Sequence, residues 1–116
     1  MNEQINEFFN WLDTAQEAVL SEVAALASDG RIDESNSLKA KANVYDICKS
    51  VTGTILKKAP DASFKEAFAA FERISAPWRE SLEAAKAHDD ARKVMVEEAK
   101  LSAVTEINDK IKEMFQ

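Results

Sequence analysis

Residues able to stop a helix are scarce here. Glycine and proline occupy four of the 116 positions, Gly30, Gly53, Pro60 and Pro77. Reversals and helix ends lean on these two residues, one for its left-handed backbone and the other for its missing donor. A chain with so few of them has few places to turn and must build long elements. The apolar spacing says what those elements are. Ile5, Phe8, Leu12, Ala15, Val19, Val23 and Leu26 follow one another at steps of three and four, which predicts an amphipathic helix over residues 3–28. Val44, Ile47, Cys48, Val51 and Ile55 repeat the spacing, flanked by Leu38 and Tyr45, and predict a second helix over 33–58.

The stretch between them, SDGRIDES (28–35), reads as a turn. Gly30 can take the left-handed conformation that ends one helix, Ile32 can turn inward, and Asp33 can cap the next helix. The same letters resemble the middle of an EF-hand calcium loop, with Gly30 at the sharp turn and Asp29 and Asp33 beside it. In that register Ala25 and Ala27 fall on ligand positions and Asn36 stands where a bidentate glutamate is required. Two carboxylates do not make a calcium cage, so the plain turn is preferred.

Lys57 and Lys58 suit the negative end of the second helix, Pro60 stops it, and Ser63 with Glu66 forms a capping box. A third helix is expected from near Ala62, with Phe64, Ala67, Phe68, Phe71 and Ile74 on its apolar face. Pro77 belongs in the first turn of a fourth. From Trp78 one stripe runs through Leu82, Ala85, Asp89, Val96, Ala103, Ile107 and Met114, joined near the end by Val104, Ile111 and Phe115. Its unbroken phase predicts a single helix of about 39 residues, with the alternative of a break near 88–90, where Asp89 or Asp90 could cap a new helix. The expected fold is all-α: one domain over 1–116, a small antiparallel helical bundle made of a helical hairpin, a short helix and a long C-terminal helix. The break would make it a four-helix up-down-up-down bundle.

Charge and cysteine content narrow the function. The net charge is −6, with −7 in residues 1–38 and +4 in 39–60. That disfavours direct nucleic-acid binding, which needs a clustered cationic surface, and suggests that the acidic and basic segments lie side by side. Cys48 is the only cysteine and His88 the only histidine. One cysteine forms no internal disulfide or CxxC zinc pair, and one histidine cannot supply the two Glu-x-x-His units of a di-metal bundle. MNEQINEFFNWLD has no basic residue and no long apolar run, so neither a signal peptide nor a membrane span is expected, and the location expected is cytoplasmic.

No catalytic constellation emerges. His88 and Asp89 are adjacent and so do not face each other on a helix. Cys48 sits on an apolar face and reads as an inert core thiol. Glu97 and Glu98, like Asp89 and Asp90, point about 100° apart and read as solvated surface. The chain is therefore expected to be no enzyme and to need no cofactor or metal.

Interaction is the remaining theme. Trp11 lies off the main stripe of its helix, in line with Ala18 and Ala25 at seven-residue steps. It is either the anchor of an interface or a sign that the helix is buried on two sides. A continuous fourth helix of about 58 Å would overhang a hairpin of about 39 Å, leaving Phe64, Phe68, Phe71, Trp78 and Leu82 at an end only two helices thick. The partner expected on that ground is a second copy of the chain, a homodimer meeting through those residues. Two other readings stand beside this interaction module: an acidic mimic binding a basic partner through residues 1–38, and a bundle holding a small apolar ligand among Phe64, Phe68, Phe71 and Trp78.

Overall fold

The computed structural model describes residues 3–59 and 63–115, which are helical almost throughout and contain no strand. Helices α1 (Glu3–Ser28) and α2 (Ile32–Lys58) form the expected hairpin. Gly30 has φ +77°, and the Arg31 amide donates to the Leu26 carbonyl at 2.9 Å while Gly30 donates to Ala27 at 3.1 Å. This pair of bonds is the Schellman closure, and it needs a left-handed residue. Two details differ from expectation. Ile32 points outward and is 54% exposed. Asp33 lies inside the first turn, with Arg31 in the cap position and making no side-chain cap. Arg31 binds Glu34 one turn on, and Asp33 meets Arg92 at 3.4 Å.

Helices α3 (Phe64–Ser75) and α4 (Pro77–Ala87) form a jointed arm. Ser63 Oγ accepts the Glu66 amide at 3.2 Å, the N-cap half of the expected capping box. The expected stop at Pro60 and helix start near Ala62 fall outside the described residues. Ala76, between the two helices, keeps right-handed helical angles. Pro77 has no amide to donate, so the ladder is interrupted there without a reversal.

The long fourth helix is not formed. The chain turns back at His88–Asp90, and α5 (Ala91–Phe115) returns along the bundle. Asp89 takes φ +52°, Asp90 donates its amide to the Ala85 carbonyl at 3.0 Å, and Asp89 donates to Lys86 at 3.2 Å. Asp90 Oδ1 then accepts the Lys93 amide at 3.1 Å, capping α5. Aspartate tolerates the left-handed region better than most side chains and is also a strong N-cap, so adjacent aspartates end one helix and begin another without glycine. The alternative of a break near 88–90 is the one realised, within the all-α antiparallel bundle.

Helix α2 is central and packs against α1, α5 and α3. Asp13 of α1 pairs with Lys49 of α2 at 2.9 Å, so the acidic and basic segments are indeed neighbours. Helix α5 runs in the same direction as α2: Asp33 meets Arg92 near both starts, and further along Glu106 takes Lys41 Nζ at 2.7 Å and the Tyr45 hydroxyl at 3.1 Å. One core cluster joins Phe8, Leu12, Val44, Tyr45, Cys48, Phe71, Ala103 and Ile107; a second, nearer the start of α1, joins Ile5, Leu56 and Ala67. Phe68 and Phe115 pack against both. With 25 residues α5 is about 37 Å long, close to α1 and α2, so the overhang that would have left the aromatics uncovered does not exist. Phe71 is only 2% exposed.

Candidate functional site

The eight residues singled out from the sequence fall in separate places. Trp11 is half-buried, stacked 6.1 Å from Phe8 and edge-on to Tyr45 at 6.2 Å, with Lys110 Nζ 5.9 Å from its ring centre. Helix α1 is thus covered on its Trp11 side by α2 and α5. Ala18 and Ala25 are exposed. Trp78 and Leu82 are half-buried on α4, and Lys100 lies 4.3 Å over the Trp78 ring. Phe71 belongs to the core. Ala25 lines a shallow hollow at the hairpin tip, and Phe64 and Phe68 together line an opening elsewhere.

That opening is a groove of about 600 Å³ between α3 and α5. The two helices share almost no backbone contact and are bridged by their aromatic side chains. Phe115 lies 5.1 Å from both Phe64 and Phe68, and Phe8 of α1 packs behind them, edge-on to Phe68 at 5.5 Å and to Phe115 at 5.9 Å. Phe64, Phe68 and Glu72 with Lys65 and Ala69 form one wall; Asn108, Ile111, Lys112 and Phe115 form the other. Each wall is therefore a single helical stripe about two turns long, roughly 12 Å. Ile111 and Phe115 were visible in the sequence as stripe residues, but only the reversal at 88–90 sets them opposite α3.

A second hollow lies at the hairpin tip, lined by Ala25, Leu26, Leu38 and Met95 and rimmed by the Arg31–Glu34 pair. It holds no aromatic residue and lies away from the junction of the two core clusters.

The reactive candidates occupy structural positions. Burial pushes the Cys48 thiol up to about 12, the Thr52 hydroxyl one turn on opposing part of the rise, and a thiol so held is a poor nucleophile near neutrality. Burial also raises the Tyr45 hydroxyl well above its ordinary range, reinforced by the charge and hydrogen bond of Glu106. His88 is exposed at the C-cap of α4. Glu98, Asp89 and Asp90 are exposed as expected, but Glu97 is not. It is 6% exposed, with Oε1 3.3 Å from Lys100 Nζ and Oε2 bonded to no described group. Its partner Lys100 also lies over Trp78 of α4, and α5 is packed between α2 and α4 along this stretch.

Among the described residues no helix is long and apolar enough to cross a membrane, and no group of three or more His, Cys, Asp or Glu side chains is placed to hold a metal ion. Comparisons with protein-family models, with curated proteins and with solved structures give no match, so the groove's own chemistry is where a functional reading starts.

Proposed function

We propose that the protein is a non-enzymatic helical interaction module that receives a helix of a partner protein in the α3–α5 groove. The observation that carries this is the pairing of two walls, each presenting residues one helical turn apart, with Phe64, Phe68 and Phe115 meeting between them. An amphipathic helix with apolar residues at i, i+4 and i+7 has the matching periodicity. The reading differs from a two-fold pairing of exposed phenylalanines. The helix-length argument for a homodimer does not survive the reversal at 88–90, and helix-into-groove is a contact between unlike surfaces.

The test is selection of helix-forming peptides from a random library against the intact protein. Enrichment of apolar residues at helical spacing, with binding lost on Ala69→Arg in the middle of the groove, is the expected result. Peptides that bind Ala69→Arg as well as the unmodified protein would remove the groove from the account.

One observation favours a second reading. Helix α1 carries Glu3, Glu7, Asp13, Glu17 and Glu22 and no base, and among the described residues only Asp13 of these has an ion-pair partner. A basic partner could be held along that face, as an acidic mimic would hold it. Salt separates the two, since an electrostatic complex weakens steeply with ionic strength. A natural partner still bound at roughly 1 M salt would exclude the mimic.

A further inference from the structure

We infer that the helix taken by the groove is acidic at the end that meets Phe64 and Phe115. The inference rests on the groove being a helix-receiving site and adds the chemistry of the occupant. The groove is polarised along its length. Lys65 stands beside Phe64 in the first turn of α3, and Lys112 one turn before Phe115 on α5. Both are exposed, and among the described residues neither has an ion-pair partner. Glu72 and Asn108 close the other end, two turns from Lys65 but one turn from Lys112, so the lysines occupy the groove from its Phe64 and Phe115 end to its middle. In a chain of net charge −6, Lys65 and Lys112 are the basic residues that line the groove, one on each wall.

Facing charges of that kind choose between partners more than they add affinity. A helix with glutamates beside its apolar stripe meets Lys65 and Lys112 favourably, whereas one with lysines there sets like charges together. Glu72 at the far end gives the opposite preference, so the groove also prefers one direction of the occupant. A fatty acid shares the apolar-plus-anion chemistry. The two walls with side chains at helical-turn spacing favour the helix, and the amphiphile becomes an arm of the test.

Two labelled helical peptides of about four turns, each with leucine at i, i+4 and i+7, are titrated into the full chain by fluorescence anisotropy. One carries glutamates beside one end of the stripe and the other lysines. The glutamate peptide is expected to bind roughly three- to tenfold more tightly at low salt, the scale of two exposed ion pairs, and to lose that advantage at high salt. Lys65→Glu with Lys112→Glu should reverse the preference, and Lys65→Gln with Lys112→Gln should erase it. All four substitutions are on exposed side chains, and circular dichroism checks that the helix content is kept. Equal binding of both peptides, with both lost on Ala69→Arg, would overturn the charge assignment and leave the groove reading standing. Binding that ignores Ala69→Arg would overturn both. Binding of sodium laurate with neither peptide binding would overturn the helix in favour of a small amphiphile.

Discussion

Among the described residues the chain turns twice with the same backbone geometry and different residues. At Gly30 and at Asp89 the backbone goes left-handed, with φ +77° and +52°, and in each case the next amide donates five residues back while the left-handed residue donates three residues back. At the first turn glycine occupies the left-handed position at little steric cost. At the second an aspartate accepts some strain, and the neighbouring aspartate offsets it by capping α5 through its side chain. A helix reversal therefore needs a tolerated left-handed residue and somewhere for the free amides to go. Glycine is one way to provide the first, and the second turn supplies both from acidic side chains.

The largest expected difference between the two hairpins lies in their interiors. Phe8 of α1 is fully buried and touches Phe68 and Phe115, so Phe8→Ala should cost about 3–5 kcal/mol in urea unfolding. Leu82 of α4 is half-buried, and Leu82→Ala should cost about 1–2 kcal/mol. Equal losses would show that the second hairpin is as deeply packed as the first.

The next contrast is with pH. Cys48, on α2, keeps its proton up to about 12 in the folded chain against 9.0 for an exposed thiol. Above about pH 9 the unfolded chain thus holds fewer protons than the native one, and stability falls as pH rises from about 9 to 12. Tyr45, raised above its usual 10.0, adds a slope of the same sign in the upper part of that window. Urea unfolding between about pH 8 and about pH 10.5 should show the decline, and Cys48→Ala should flatten it. An unchanged slope in Cys48→Ala would remove the thiol as its source.

Smaller again are the turns themselves. Valine at position 30 should cost about 2 kcal/mol, because a β-branched side chain is forced into the left-handed region. Valine at 89 should cost less, about 1 kcal/mol, since aspartate already bears part of that strain. The smallest effect has the opposite sign: Asp89→Gly should stabilise by a few tenths of a kcal/mol up to about 1, relief of strain outweighing the added freedom of the unfolded chain. Chemical denaturation of the four proteins side by side ranks them, and a destabilised Asp89→Gly would mean that the Asp89 side chain does more than tolerate its angle.

These turns also show how far the sequence carries. The apolar steps of three and four located α1 and α2 to within a residue, because one continuous buried face leaves a strong period. Gly30 and the Ser63–Glu66 box were legible because each has a distinctive local chemistry. The reversal at 88–90 was less so: the apolar phase of 78–115 runs on through it, and aspartates are common on helix surfaces as well as in caps. Once that turn is missed, what depends on it is missed too. Phe115 opposite Phe64, Glu97 buried on α5 and the groove itself are products of long-range packing that no local pattern records. Gly53 teaches the reverse lesson. A glycine inside a helix suggests a close approach or a bend, yet a Cβ at Gly53 would meet only the Phe9 ring at 3.8 Å, an ordinary contact.

The groove exists only if the chain folds back between α4 and α5, and a distance across that hairpin tests this most directly. Glu80 and Glu98 are exposed and lie on the two arms. Spin labels at these positions, in a Cys48→Ala background, should couple strongly at a separation of roughly 10–20 Å, the spacing of packed helix axes plus the label tethers. In an uninterrupted helix the same 18 residues would span about 27 Å along the axis. A single distribution centred near or beyond that length would contradict the reversal and, with it, the α3–α5 groove.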